Sequence, residues 1–399
     1  MDQPTIETLF VIGVVSVLSV LIAHYLRRFY VSAVVLEILA GILVGPQALG
    51  IGHLTPVIVG LGSAGLTFLM FMAGYEIDFD RVKGVPLRLA GMGWAFSLAV
   101  GLLFGGLLEA SGHVLSGLVT GLALTTTALG TMLPMWRDAG LLGTRLGSHA
   151  LAIGSVGEFG PIVAVALLLT SDNPLKVSLV LLAFVIVAIG ASLLAMRPRR
   201  PATVRLLQRH LHSSGQLPVR IAMLIVIGLV FLARSFNLDV LLGAFAAGIV
   251  AHLFLGGTVD APLVKEKLEA ISFGFFVPIF FVESGMAFDL HSLVDQPRRL
   301  LDVPLFLGMF LVVRGLPVFL FYRRAVPATE RPALALFSAT ALPLVVAITD
   351  IGVTTHEMRP SVAAALVAAA ILSVLFFPPT AFARLRTLLA AAKLAPQES

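Results

Sequence analysis

Apolar runs long enough to cross a bilayer follow one another along almost the whole chain. A spanning helix needs roughly 20 mostly apolar residues. Thirteen runs qualify, at about 6–26, 31–49, 57–77, 86–110, 114–134, 146–170, 176–196, 219–234, 238–255, 270–287, 303–322, 331–350 and 358–380. Backbone amides and carbonyls must be satisfied internally in hydrocarbon, so each run reads as a helix. The expected fold is an all-α integral membrane protein of about 13 transmembrane helices. The eighth and ninth runs are short, with only Ser235–Leu238 between them. One interfacial hairpin there would reduce the count to eleven.

Composition narrows the class further. Of 399 residues, 58% are hydrophobic and 12% charged, about half the charged share of a soluble domain. The absence of cysteine excludes disulfide frameworks, thiolate metal sites and cysteine catalysis. The nine histidines fall at no metal-ligand spacing. No phosphate loop, nucleophile elbow or metalloprotease motif occurs, so neither an enzyme nor a cofactor is expected. The net charge of +5 is small and sits in loops, which argues against a nucleic-acid partner and for membrane lipid.

The basic residues orient the spans. With the N-terminus outside, 21 of the 27 Lys and Arg fall in cytoplasmic segments. Five fall outside (Lys176, Arg234, Arg298, Arg299 and Arg359), and one, Arg314, lies within a span. The positive-inside rule therefore predicts N-out and C-in. Asp2 and Glu7 stand where a cleaved signal would carry positive charge, so the first span is expected to stay. Organisation reads as one transporter module over 1–399. Spans 1–6 occupy about 6–170 and a linker span about 176–196. A cytoplasmic loop covers 197–219, spans 8–13 about 219–380, and a short cytoplasmic tail 381–399. No soluble domain follows, so no covalent nucleotide-binding regulator is expected.

Two spans resemble each other. Span five contains Leu122-Ala123-Leu124-Thr125-Thr126-Thr127-Ala128-Leu129-Gly130, then Pro134. Span twelve contains Leu334-Ala335-Leu336-Phe337-Ser338-Ala339-Thr340-Ala341-Leu342-Pro343. Six spans, one extra span and six more give the halves opposite orientations, as in an inverted-topology repeat. Interrupted helices at matching positions point to a transporter's midplane site.

Charge inside a span costs at least about 2.5 kcal/mol on insertion scales, so the few intramembrane ionisable residues are candidates for function. Glu158 lies mid-span in Gly154-Ser155-Val156-Gly157-Glu158-Phe159-Gly160-Pro161, loosened by glycine and proline. A carboxylate there can exchange a proton or ligate a hard cation, and that competition is the minimum chemistry of an antiporter. Arg314 stays charged and cannot carry the proton, so it reads as a compensating charge. Glu37 and Glu283 lie within spans two and ten and Glu76 near a span end; they are possible accessory carboxylates, with bonding to a neighbouring helix the competing reading.

Several segments in order carry a family pattern. They are Glu37–Pro46 (EILAGILVGP), Phe68–Asp78 (FLMFMAGYEID), Gly140–Gly147, Gly243–Gly248 and Phe280–Met286. The chain resembles the monovalent cation:proton antiporter-2 family, which includes sodium/proton exchangers and potassium-efflux membrane modules. The resemblance implies an elevator-like fold with two crossed, interrupted helices and a homodimeric scaffold. It places the crossing at spans five and twelve, the ion-binding carboxylate at Glu158 and the facing basic residue at Arg314. Thr126, Thr127 and Thr340 then fall in the crossing. The family usually has two polar residues at the site, commonly ending in Asp. Here the pair is Gly157-Glu158, and Glu283 stands where a small residue is more usual.

The function expected is electroneutral exchange of protons for Na⁺ or K⁺ across a bacterial cytoplasmic membrane. Two alternatives remain at this stage: the same fold carrying a small organic anion through Arg314, or a transport-inactive sensor or assembly partner.

Overall fold

The computed structural model describes residues 2–26, 32–77, 82–168, 215–255, 261–289 and 297–394, with scattered positions from 179 to 193 and His291. Much of the expected seventh span and most of the 197–219 loop lie outside the described residues.

Among the described residues the structure is helical. We number the helices α1 (Gln3–Tyr25), α2 (Ala33–Val44), α3 (Pro56–Tyr75), α4 (Val85–Ala110), α5 (Gly117–Leu124), α6 (Leu129–Asp138) and α7 (Arg145–Leu168). They continue as α8 (Leu217–Ser235), α9 (Val240–Leu255), α10 (Ala261–Met286), α11 (Asp302–Phe321), α12 (Arg331–Ala339), α13 (Pro343–Thr354) and α14 (Pro360–Leu394). Nine apolar segments among the described residues are long enough to cross a membrane, counting α12 and α13 as one. Exposed apolar side chains follow the outer faces, as Leu224, Ile227 and Phe231 do along α8. That is the pattern of a helix whose surroundings are hydrocarbon.

Local sequence explains the starts. Ser32, Thr55 and Ser116 cap α2, α3 and α5, each hydroxyl accepting a first-turn amide. Proline occupies the first turn of α1, α3, α4, α8, α12 and α13, where a missing N–H costs nothing.

The interruptions expected in spans five and twelve are present: span five is two helices, α5 and α6, parted at Thr125–Ala128, and span twelve is two, α12 and α13, parted at Thr340–Leu342. Span ten begins earlier, at Ala261, because Lys265, Glu266, Lys267 and Glu269 continue the helix as an amphipathic turn that a hydropathy reading stops short of. Beyond the last expected span, α14 runs on unbroken through Pro378 and Pro379 to Leu394. The eighth and ninth runs are distinct helices joined by a tight turn with Asn237 in left-handed conformation.

The chain divides into two compact units. One comprises Met1–Leu54, Phe79–Pro161 and Val282–Ser399; the other comprises Thr55–Asp78 and Ile162–Phe281. Within the first, α4 and α5 meet through Gly101 and Gly105 against Gly121 and Gly117. A methyl group on Gly105 would strike the Gly117 carbonyl. This contact fixes α5, and therefore the break at its end, against α4. Within the second, α3 and α9 meet as closely through Gly74 and Gly248.

Candidate ion site at two broken helices

Every residue that builds the site belongs to the first unit. At the end of α5, Thr125 and Thr126 turn their hydroxyls back to the Leu122 and Ala123 carbonyls, at 2.8 and 3.0 Å. These bonds close the frayed end of a helix that stops in the membrane. Thr127 behaves differently. Its N–H donates to the Gly157 carbonyl of α7 at 3.0 Å, and the next amide, Ala128, donates to the Thr340 carbonyl at 2.8 Å. Its hydroxyl donates to the Ser338 carbonyl of α12 at 2.6 Å. The two breaks are thus bonded to each other directly.

The second break follows the same logic. Thr340 is extended and bonds its hydroxyl to the Leu336 carbonyl at 2.9 Å. Pro343 then starts α13, and the Ala341 amide donates to Ser373 Oγ of α14 at 3.0 Å. The Thr127, Ala128 and Ala341 amides and the Ser338 and Thr340 carbonyls at the two interruptions therefore find partners inside the protein, as a bilayer requires.

Arg314 lies against this crossing. It sits in a π-helical turn, Leu311–Gly315, that interrupts α11. The turn loosens two carbonyls, and hydroxyls take both: Ser97 of α4 donates to Val313 at 2.8 Å and Ser338 donates to Arg314 at 3.0 Å. The guanidinium is buried. It donates to Thr127 Oγ1 from Nε at 2.9 Å and Nη2 at 2.7 Å, to Ser97 Oγ at 3.3 Å, and to the Ile153 carbonyl of α7 at 3.4 Å. Thr127 Oγ1 is saturated, donating once and accepting twice.

This arrangement explains Gly157. A side chain there would begin inside Arg314 Nη2 and within 2.6 Å of Thr127 Oγ1. The space where a first polar side chain would stand is filled by the guanidinium and the threonine. Glu158, the next residue on α7, is fully buried.

The structure thus brings Glu158, Thr126, Thr127, Thr340 and Arg314 into one neighbourhood. Glu37 and Glu283 belong to the same unit, on α2 and α10. Those helices cross at Gly41 and Gly285, where added methyl groups would meet the opposing backbone. Glu76 belongs to the second unit, where its carboxylate lies 3.7 Å from Lys265 Nζ. Sequence reasoning did not single out Ser97, Ser338 or Ser373. Ser338 stood inside the repeated segment, but a lone serine in an apolar helix, such as Ser97, carries no signal. Among the described residues no three His, Cys, Asp or Glu group into a metal site.

Two broken helices held together around a buried arginine, in an all-helical membrane chain, define a secondary-transporter fold. The solved structure of the sodium proton antiporter MjNhaP1 from Methanocaldococcus jannaschii matches with a TM-score of 0.66 at 17% identity, covering 99% of this chain and 100% of that one. The family model described as sodium/hydrogen exchanger, transmembrane, matches residues 14–386, and the chain belongs to that family. YjbQ of Bacillus subtilis, named as a candidate Na⁺/H⁺ antiporter, is 25% identical over 95% of this chain and 63% of its own length. The Na⁺/H⁺ antiporter of Enterococcus hirae is 24% identical over 73% of this chain and 76% of its own. The chain spans only 37% of cation/H⁺ antiporter 19 of Arabidopsis thaliana, so some relatives are far longer.

Proposed function

We propose that the chain is a secondary antiporter that exchanges protons for Na⁺ or K⁺ by elevator-like alternating access, working as a homodimer in a bacterial cytoplasmic membrane, N-terminus out. Protons and cations compete for Glu158. Thr126, Thr127 and Thr340 border the place where the cation is held, and Glu283, Glu37 and Glu76 are accessory at most. The observation that carries this reading is a fully buried carboxylate next to Gly157, whose carbonyl is bonded into one helix break and whose Cα abuts Arg314. A buried carboxylate is stable either protonated or cation-bound, and seldom bare.

Arg314 supplies a fixed positive charge and no proton. Its guanidinium is committed to Thr127, Ser97 and Ile153, which weighs against the organic-anion alternative. Gly157 is explained by packing, so its lack of a side chain no longer favours a chain that has lost transport.

The test is proton flux in proteoliposomes, driven by Na⁺ or K⁺ gradients, in wild type and Glu158→Gln. Cation-dependent flux in wild type and its loss in the variant are expected. Full flux in Glu158→Gln would remove the site, and no flux with any monovalent cation would remove the function.

A further inference from the structure

A cavity of about 830 Å³ opens at one end of the first unit, apart from the ion site. Lys83, Arg145, Arg323 and Arg324 line it, and no acidic residue does so among the described residues. Its wall is apolar, from Leu89, Met92, Leu320 and Phe321. The chemistry therefore divides: a cationic mouth and a hydrocarbon side. Met92 and Leu320 are 44% and 40% exposed, so the apolar wall is open rather than packed.

Three further features favour an anion at the mouth. The first turns of α4, at Val85 and Pro86, and of α7, at Arg145 and Ser148, both line the cavity. Helix N-termini present partial positive charge. The opposing end of α11 is already neutralised: the Phe319 carbonyl accepts from Arg323 Nε at 3.0 Å. Arg331 donates to the Val326 carbonyl at 2.9 Å and the Arg323 carbonyl at 2.6 Å. Finally, His149 lines the cavity, is 3% exposed, and its Nδ1 has no hydrogen-bond partner among the described residues.

We propose that this cavity binds an anionic glycerophospholipid, with the phosphate among Lys83, Arg145, Arg323 and Arg324 and an acyl chain along Leu89, Met92, Leu320 and Phe321. The basic side chains among its described lining disfavour Na⁺ and K⁺ there. A free phosphate would satisfy the rim but leave the apolar wall uncovered. Basic pockets between membrane helices are the setting in which lipid headgroups are held, and the basic-residue count assigns this end to the cytoplasmic side.

The test uses the purified full chain in detergent. Thermal midpoints are measured against phosphatidylglycerol, phosphatidylcholine and inorganic phosphate, in wild type, Arg145→Gln and Arg324→Gln. Both arginines are exposed, so neither change disturbs the core. Arg88→Gln, exposed on α4 but not lining the cavity, is the control. Phosphatidylglycerol should raise the wild-type midpoint and phosphatidylcholine should not. Arg145→Gln and Arg324→Gln should each raise the half-saturating concentration about fivefold, the worth of one basic charge near an anionic surface. Arg88→Gln should leave it unchanged. Equal shifts with the two lipids, or undiminished binding in both arginine variants, would overturn the site. A full shift with inorganic phosphate alone would overturn the lipid. Native mass spectrometry of the wild-type chain needs no variant: preferential retention of phosphatidylglycerol is expected, and equal retention of both lipids refutes the proposal.

Discussion

Replacing Thr127 by valine keeps the shape of the side chain and removes one oxygen. That oxygen holds three bonds: one to Ser338 of the second broken helix and two from Arg314. Polar side-chain bonds between membrane helices average about 0.6 kcal/mol in mutant cycles, which sets a floor of about 2 kcal/mol for the three. The ceiling is higher because two of them engage a buried charge. Hydrogen bonds to charged groups are worth about 1.5–3 kcal/mol, and valine leaves the Nε and Nη2 protons unpaired. The guanidinium keeps Ser97 and Ile153, so the loss should fall between about 2 and 5 kcal/mol rather than reach the full cost of an orphaned ion. Thr127→Ser retains the oxygen and should stay close to wild type. The assay is reversible unfolding in mixed micelles, with scanning fluorimetry as a screen. A valine variant as stable as the serine variant would refute the view that this hydroxyl joins the breaks.

Thr126→Val and Thr340→Val each remove a hydroxyl bonded only to its own helix, at Ala123 and Leu336, so each should cost no more than about 0.6 kcal/mol of stability. Loss of exchange with stability intact would mark either as a cation ligand. At fixed Na⁺ or K⁺, wild-type exchange should fall as pH falls, because protons displace the cation from Glu158; stopped-flow dequenching across pH reads this, and Glu158→Gln should show no cation-dependent thermal stabilisation. Gly157→Ala should destabilise by about 1–3 kcal/mol, since its methyl group enters the space of Arg314 and Thr127. Gly60→Ala, with open space around it on α3, should instead stabilise by about 0.5–1 kcal/mol, and the pair measured by thermal unfolding separates crowding from helix propensity.

Much of the fold was legible because a bilayer forces the sequence to declare its helices. Length, apolarity and loop charge suffice for that. The breaks were legible too, because Thr125-Thr126-Thr127 and Thr340-Ala341-Leu342-Pro343 place hydroxyls and proline where a spanning helix would not otherwise want them. Glu158 and Arg314 stood out because intramembrane charge is costly. The π-helical turn around Arg314 was not legible: Leu-Val-Val-Arg-Gly carries no signal for it, and it depends on Ser97 and Ser338 being present on other helices to take the loosened carbonyls. The reason for Gly157 was hidden for the same cause. A glycine beside a glutamate reads as a missing ligand, until the guanidinium is seen to occupy its place.

That substitution of a neighbouring guanidinium for a side chain has a consequence for charge. With Glu158 ionised and Arg314 fixed, the pair is neutral. Adding a proton to Glu158 gives a net charge of one, and adding Na⁺ or K⁺ to its carboxylate gives the same. Both loaded forms therefore meet the low-dielectric barrier with equal charge, and the bare form, without cargo, differs from both. If Glu158 alone titrates, as proposed, the expected exchange is one proton for one cation, with no net charge moved. A second titrating carboxylate at Gly157 would break this equality, and the packing of Arg314 Nη2 and Thr127 against that Cα prevents one from standing there. Should Glu283 or Glu37 also release a proton in the cycle, two protons would move per cation. A cation jump on a solid-supported membrane decides between them: no steady transient is expected, and a transient that reverses with the gradient would show that Glu158 does not work alone.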